Sequence, residues 1–415
     1  MISMTPRKDI SMQRTVLTPV FSVLLTLCVG AGIFAVLGYD PSAALYQFFV
    51  APLSRPDQVA DLFVKACPLI IIATGLAFCY RANVWNIGAE GQIVMGAVCA
   101  GGVALFFPAI PDLLMMPAMI IAAMAGGMAL AFIPGILKTR FNTNEILVSL
   151  MLTYVAALFI DWLVRGPWRD PESFGFPLTK SYGDAAALFI DWLVRGPWRD
   201  PESFGFPLTK SYGDAALIQR VELPGIGTIG QLHWGVVAAL ALAVAAYFVM
   251  SKTVFGFQVK VMGDAPRAGT FSGFNPARTT LGVLCLSGAC AGVAGMVEVS
   301  ANMGQLQPEV SFGYGFTAII VAFLARLNPL GVIMAGLVVA LAELGGDRAQ
   351  MALGMPKVVT GLFTGILLFL LLAGETFNRY HVQINWPRFG QLKSLPASCF
   401  FYCWLARLLT AITCR

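Results

Sequence analysis

Long apolar runs follow one another along most of the chain and are separated by short polar turns. A helix needs roughly 20 apolar residues to cross a bilayer, and fewer where it is broken or re-entrant. The pattern therefore predicts an all-α, polytopic membrane protein with about ten transmembrane helices, including short or re-entrant half-helices. The predicted spans are 15–39, 60–80, 88–107, 113–137, 144–165, 232–250, 279–299, 313–326, 329–344 and 354–374.

The eighth and ninth spans are short, and only Arg326, Leu327 and Asn328 separate them. They form either two short crossings or a hairpin of half-helices that does not cross. The topology of the other spans is the same in both cases.

Glycines that recur every four residues predict close packing between helices, because small residues let two backbones approach each other. Two such pairs lie in the C-terminal half of the chain. They are Gly288 with Gly292, and Gly361 with Gly365.

A polar segment, NVWNIGAEGQ, joins two of the apolar runs at residues 83–92. Lipid cannot satisfy free backbone groups or a carboxylate, so at membrane depth such a segment needs protein or water around it. One interpretation is a solute pathway built from this segment. The alternative is a short loop at the membrane face whose polar residues are solvated.

The candidate pathway residues are amides and carboxylates, which hydrogen-bond hydroxyl groups and base edges. Asn86 and Glu90 are four positions apart and share a face if the segment is helical. Glu90 has a structural alternative, in which it caps a half-helix or pairs with Arg81. Glu298 and Glu343, near external span ends, are expected to be solvated. The predicted pathway residues are Asn86, Glu90 and Gln92, followed by Asn144 and Glu145 as second choices.

Basic residues orient the chain, because cytoplasmic loops collect Lys and Arg. With ten spans, all of the basic clusters fall on one side, so both termini are predicted to be cytoplasmic, with residues 1–14 as a cytoplasmic segment. The first apolar run is longer than a signal-peptide core and is read as an uncleaved helix. The clusters contain Arg7, Lys8, Arg14, Lys138, Arg140, Lys252, Lys260, Arg267 and Arg278.

Composition excludes a soluble globular protein: 58% of the residues are hydrophobic, 12% are charged, and the mean hydropathy is +0.76. The net charge of +5 reflects the predicted cytoplasmic loops, and no nucleic-acid footprint is present. The nine cysteines lie mostly in apolar runs and are interpreted as small hydrophobic residues. With two histidines and scattered carboxylates, no metal site and no catalytic residues are predicted.

Residues 157–186 and 187–216 are identical, which indicates a very recent duplication or an error in assembling the sequence. The apolar piece of the second copy, 185–194, is about ten residues long and includes Asp191, so it is too short to span. We therefore expect residues 166–230 to form an enlarged external loop. The tail, 386–415, changes composition abruptly and is either an interfacial helix or an aberrant end.

Four collinear blocks carry a family resemblance that extends from about residue 15 to about residue 385, excluding one copy of the repeat. They resemble the permease subunits of bacterial ABC importers in the branched-chain amino acid and simple-sugar group, and are most similar to nucleoside permeases. The resemblance implies that residues 15–385 are the transmembrane permease domain. The blocks are NVWNIGAEGQIVMGA (83–97), TNEILVSLMLTYVA (143–156), GFQVKVMGDAPRAGTFSGF (256–274) and GYGFTAIIVAFLARLNPLGV (313–332).

The resemblance implies that the loop after the sixth span holds a coupling helix, which docks on the ATP-binding subunit. The family usually has Asn where this chain has Asp264, and Ala where it has Gly269. Without the resemblance, the loop is a solvated basic connector. The matching positions are Gly263, Asp264, Ala265, Pro266, Ala268, Gly269, Gly273 and Phe274.

The chain contains no GxxxxGK[ST] loop to hold a nucleotide phosphate. The resemblance therefore implies a transport subunit that is not an enzyme and binds no cofactor itself, with ATP and Mg on a separate ATP-binding subunit. It also implies a second permease subunit, an extracytoplasmic substrate-binding protein and a location in the bacterial inner membrane, within the lipid bilayer.

The implied cargo is a small polar solute, with a nucleoside as the first choice. Simple sugars of the ribose type and branched-chain amino acids are the alternatives. An ion-coupled secondary transporter is a rival of a different class, and it would depend on Glu90 as an intramembrane acid. A further alternative is a chain that the duplication and the altered tail have inactivated.

Overall fold

The computed structural model describes residues 2–6, 12–107, 109–165, 212–223, 227–304, 306, 310–311 and 313–384. The chain forms two compact units, one of Met1–Phe21 with Ala373–Arg415 and the other of Ser22–Leu372. The predicted tail, 386–415, lies outside the described residues, as does most of the predicted external loop.

Ten apolar helices in the described residues coincide with the ten predicted spans, which confirms the all-α membrane fold. Seven of them are long and apolar enough to cross a membrane. Three short helices, α2, α8 and α9, lie between them. The helices are α1 (Met12–Val36), α2 (Pro41–Leu45), α3 (Pro56–Arg81), α4 (Ala89–Phe106), α5 (Asp112–Phe141), α6 (Glu145–Arg165), α7 (Trp234–Lys252), α8 (Val254–Asp264), α9 (Pro266–Phe271), α10 (Pro276–Val297), α11 (Tyr314–Leu324), α12 (Pro329–Leu353) and α13 (Lys357–Arg379).

The eighth and ninth spans differ from each other in length. Helix α11 has only 11 residues and ends at Leu324, and Arg326 and Leu327 after it both adopt left-handed conformations with φ of 56°. Helix α12 has 25 residues, so the prediction of a short ninth span ending at 344 is wrong. The helix continues because ion pairs accommodate its charged residues: Asp347 contacts Lys65 on α3, and Arg348 contacts Asp61 on α3.

Several short elements were not predicted. A π-helical turn (Tyr46–Val50) and a 3-10 turn (Ala51–Leu53) follow α2, and a second π-helical segment (Glu298–Met303) extends α10. In the part of the chain that the structure describes, four strands form two antiparallel ribbons: β1 pairs with β4, and β2 pairs with β3. The strands are β1 (Ile2–Pro6), β2 (Arg220–Leu223), β3 (Gly227–His233) and β4 (Tyr380–Ile384).

Glycine contacts hold α4, α5 and α10 together. A Cβ atom added at Gly96 would lie 2.2 Å from the Cα of Gly292, and one added at Gly292 would lie 2.1 Å from the Ala123 carbonyl oxygen. These backbones touch, which confirms the close packing predicted for the first glycine pair. Among the described residues, Gly361 and Gly365 have nothing within 4 Å of an added Cβ, so the second pair makes no such contact there.

The two copies of the repeat each contribute a different described part. The first copy supplies residues 157–165, which complete α6. The second copy supplies residues 212–216, where the backbone N–H of Tyr212 donates to the Gly304 carbonyl at 2.9 Å and a 3-10 turn (Asp214–Ala216) follows. Tyr212 and Ala216 are buried in the main core. The described parts are therefore the beginning of the repeat, from the first copy, and its end, from the second copy.

Candidate functional site

The polar segment begins where α3 ends. Asn83 adopts a left-handed conformation with φ of 56°, and the Val84 N–H donates to the Cys79 carbonyl at 2.9 Å. This is the geometry of a Schellman cap, which reverses the chain after a helix, and Asn tolerates the left-handed conformation better than most residues. The chain is then non-helical until α4 begins at Ala89.

The segment enters the protein core. Burial alternates along it as in an extended chain: Asn83 and Trp85 are exposed, while Val84 and Asn86 are buried. The side chains of Asn86 and Gln92 are 0% and 1% exposed. The alternative of a solvated loop is therefore wrong for these two residues, because the segment is packed between helices.

A hydrogen-bonded network surrounds Asn86. Its Nδ2 donates to Gln92 Oε1 at 2.9 Å and to Ser287 Oγ on α10 at 3.0 Å. Its Oδ1 accepts from Gln92 Nε2 at 3.1 Å and from the Gly88 N–H at 3.1 Å. The hydroxyl of Tyr80 donates to the Asn86 carbonyl at 2.9 Å. The side-chain Nδ2 and Oδ1 of Asn86 and its backbone carbonyl therefore all have hydrogen-bond partners, as buried polar groups require.

Helix α6 holds the other side of the segment. Ser149 Oγ accepts from the Ile87 N–H at 3.3 Å, and Glu145 Oε1 lies 3.5 Å from the backbone nitrogen of Trp85. Glu145 also pairs with Lys138 across the turn between α5 and α6. Asn144 is exposed and caps α6, accepting from the Ile146 N–H at 3.0 Å. The sequence did not single out Ser149 or Ser287, because a serine in an apolar helix carries no signal of its own.

Glu90 binds the N-terminus of the half-helix α11. Its Oε1 accepts from the Gly313 N–H at 2.9 Å, and its Oε2 accepts from the Gly315 N–H at 2.6 Å. A Cβ added at Gly315 would lie 2.3 Å from the Glu90 nitrogen, so only glycine permits this approach. A carboxylate at a helix N-terminus pairs free N–H groups and the positive end of the helix dipole. This geometry is the capping alternative, and contact of Glu90 with a solute stays a prediction.

A charged group beside this cap was missed by the sequence analysis. Lys65 on α3 lies 3.7 Å from Asp347 Oδ2 on α12, and its Nζ is 5.5 Å from the centre of the Tyr314 ring. A lone lysine inside an apolar helix was the available signal. The expectation of a solvated Glu298 is wrong, since the π-helical extension of α10 leaves it 5% exposed, with Asn302 Nδ2 donating to it at 2.9 Å.

The predicted coupling segment, residues 263–274, comprises the last two residues of α8, all of α9 and the turn into α10. Residues 264–268 are exposed, and Phe271 is 92% exposed. Gly269 packs against the Met262 side chain, Gly273 has φ of 84°, and the Phe274 ring lies 6.0 Å from that of Phe257. The segment thus contains a short exposed helix, which packs against the subunit through Gly269 and Phe274. Its docking on a partner stays a prediction.

Known permease proteins are similar to this chain over most of its length. The sequence profile described as "Branched-chain amino acid transport system / permease component" matches residues 58–372. The glucose ABC transporter permease protein TsgB13 of Haloferax volcanii is 32% identical, over 94% of this chain and 95% of its own. The nucleoside ABC transporter permease protein NupB of Lactococcus lactis is 24% identical, over 93% and 97%.

The guanosine ABC transporter permease protein NupP of Bacillus subtilis is 26% identical to this chain, with coverage of 86% of this chain and 92% of its own. The profile match extends over most of the chain, and its range includes all four of the blocks on which the resemblance rests. The chain therefore belongs to the family of branched-chain amino acid transport system permease components, which are membrane-spanning permeases of ABC transporters.

Proposed function

We propose that this chain is the transmembrane permease subunit of an ATP-driven importer that moves a nucleoside across the bacterial inner membrane by alternating access. The observation that carries the proposal is the polar segment at residues 83–92, which we call the re-entrant segment and whose Asn86 and Gln92 amides are buried within the helical bundle. Two of the similar permeases are named for nucleosides or guanosine. Amide groups bind both ribose hydroxyls and base edges, which suits such a solute.

A simple sugar is the second candidate solute. The relative from Haloferax volcanii, which is 32% identical, is named as a glucose permease. Sugars and nucleosides share a hydroxylated ring, so the same amides serve both. The presence of a base to be recognised distinguishes the two candidates.

Asn86 and Gln92 are the proposed solute-binding residues of the pathway, Glu90 shapes the pathway through its cap on α11, and Asn144 and Glu145 lie near the cytoplasmic end of α6. In the described conformation the amides of Asn86 and Gln92 bind each other. They would become available to a solute when the segment moves during alternating access. Lys65 and Asp347 lie beside the Glu90 cap and extend the proposed pathway.

The proposed complex contains an ATP-binding subunit that docks on α9, a second permease subunit and an extracytoplasmic substrate-binding protein. ATP and Mg belong to the ATP-binding subunit, so this chain is not itself an enzyme. The exposed apolar side chains of α5 and α6, such as Ile121 and Leu158, support burial in lipid. The pairing of β1 with β4 supports termini on one side of the membrane, and the basic residues make that side cytoplasmic.

The test is uptake of labelled nucleosides by cells that carry this chain with its ATP-binding subunit and binding protein, with glucose, ribose and leucine as competitors. ATP-dependent nucleoside uptake is expected. No uptake of nucleosides, together with uptake of labelled glucose or ribose by the same cells, would favour the sugar candidate. Uptake that survives ATP depletion and collapses with an uncoupler would refute an ATP-driven importer.

A chain without residues 187–216 serves as the matched variant in this assay. The deletion keeps the sequence of 157–165 and the sequence of 212–216, which are the described parts of the repeat. We expect equal uptake by both chains. Uptake only after the deletion would mean that the duplication inactivates the protein.

A further inference from the structure

The coupling segment touches the end of α3 through main-chain atoms. A Cβ added at Gly263 would lie 1.9 Å from the Arg81 carbonyl oxygen, 3.0 Å from its carbonyl carbon and 3.4 Å from the Cα of Ala82. The glycine therefore directs a Cα hydrogen at the Arg81 carbonyl, the arrangement of a Cα–H···O contact. All three neighbouring atoms belong to the backbone of α3 and its cap, so no side chain can turn away to make room.

The contact lies just before the re-entrant segment. Arg81 is the last residue of α3, and its carbonyl is one of the helix-terminal acceptors that the helix itself leaves free. Two residues later, the left-handed Asn83 begins the segment that leads to the buried Asn86 network. A displacement of α8 and α9 relative to α3 thus acts on the backbone where this segment starts.

The other glycine of the coupling segment that packs within the subunit makes a different contact. The atom nearest to a Cβ added at Gly269 is the sulfur of Met262, at 2.7 Å. A methionine side chain is flexible and adapts to such an intrusion. Gly263 is therefore the position at which the coupling segment meets α3 backbone to backbone.

We infer that Gly263 is a positioning residue that transmits movement of α9 to the re-entrant segment through Arg81 and the cap at Asn83. The inference rests on the proposed function, in which α9 docks on the ATP-binding subunit. Cβ atoms normally stay at least 3.0 Å from other heavy atoms, whereas a Cβ at Gly263 would lie 1.9 Å from the Arg81 carbonyl oxygen. A methyl group at this position would therefore move α8 away from α3 by about 1 Å. The coupling helix would still be present for docking, but its link to the segment would be altered.

The test measures ATP hydrolysis and solute uptake in the same liposomes, with the assembled complex and its binding protein. For Gly263→Ala, we expect a fall of about tenfold in solute taken up per ATP hydrolysed, within the range for residues that couple two sites. Alanine is a better helix former than glycine, so an effect through helix propensity alone would not lower uptake.

Gly282→Ala is the control, because the nearest atom to its added Cβ is a Phe255 ring carbon at an ordinary 3.6 Å. If Gly263→Ala gives the same uptake per ATP as this control, the inference is wrong while the proposed function stands. If the unaltered complex shows no ATP-dependent uptake, the proposed function fails and the inference fails with it.

Asn83→Gly decides the question if Gly263→Ala does not assemble. Glycine adopts the left-handed conformation readily, so the cap is retained. The backbone between α3 and the re-entrant segment becomes more flexible, however, because glycine has more conformational freedom than asparagine. Reduced uptake per ATP with normal hydrolysis would support transmission through this stretch of backbone. Unchanged uptake per ATP would overturn it.

Discussion

Replacing Glu90 by glutamine tests whether its carboxylate mainly caps α11 or contacts the solute. Both carboxylate oxygens accept backbone N–H groups, from Gly313 at 2.9 Å and from Gly315 at 2.6 Å. In Glu90→Gln one acceptor oxygen remains, and the new NH₂ group faces the other N–H donor. One bond is therefore lost, and a backbone donor near the buried end of the helix is left without a partner.

The magnitude follows from these two contacts. A donor left unpaired in a partly buried site costs about 1–3 kcal/mol. Loss of the negative charge at the N-terminus of α11 removes about 0.3–1 kcal/mol more. We therefore expect Glu90→Gln to reduce the free energy of unfolding by about 3 kcal/mol.

The assay is thermal unfolding of the purified protein in detergent, together with amide hydrogen exchange in α11. The apparent Tm should fall by about 4 °C, and exchange should increase in the first turn of the helix because its N-terminal anchor is lost. Asp112→Asn is the matched control. Asp112 lies exposed in the first turn of α5, so its substitution should remove only the dipole contribution, about 0.5 kcal/mol.

The capping interpretation also predicts a particular effect on transport. Because the cap positions α11 and not the solute, Glu90→Gln should lower uptake of all transported solutes by the same factor. Equal Tm values for Glu90→Gln and Asp112→Asn, together with a changed order of solute preference, would refute the reasoning. That outcome would assign the carboxylate to solute contact.

Two further predictions concern packing and pH. Gly292→Ala should destabilise the protein by about 1–3 kcal/mol, since its added Cβ meets the Ala123 backbone, whereas Gly361→Ala should leave the Tm of the subunit unchanged. Burial lowers the pKa of His233 from 6.5 to about 4, so the unfolded chain takes up a proton below about pH 6.5 that the folded chain accepts only near pH 4. Stability should thus fall as pH drops through that window, by up to about 3 kcal/mol, and His233→Phe should flatten the fall in Tm between about pH 7 and pH 4.5.

Hydropathy located the ten helices because lipid imposes one requirement on every spanning segment, an apolar length with internally paired backbone. The error at α12 came from the same rule. Asp347 and Arg348 read as the end of a span in the sequence, but Lys65 and Asp61 on α3 pair with them in the fold. Pairing between distant helices is not visible in a local window.

The candidate site shows the same limit. The sequence identified residues 83–92 from the run of polar and glycine positions. It did not show that Ser287, 201 positions away, would complete the Asn86 network, or that Glu90 would reach Gly313, 223 positions away. The packing of α4 against α10 and α11 determines these partners. A single serine or glycine within an apolar run does not indicate in the sequence which residue it will contact.

The exact repeat places the same local sequence at two positions in the chain, so it shows how position alone affects the structure. Both copies have the same propensities, yet the bundle has one place for the end of α6 and one for the segment that begins at Tyr212, which the first and second copies fill respectively. The duplication lengthens the connection between Arg165 and Tyr212 from about 16 to about 46 residues, and loop closure then costs only about 1 kcal/mol more. Such a cost is small beside the free energy of a folded domain. An inserted copy at this place is therefore compatible with the described fold, because the described contacts of the repeat come from residues 157–165 and 212–216, whose sequences a single copy also contains.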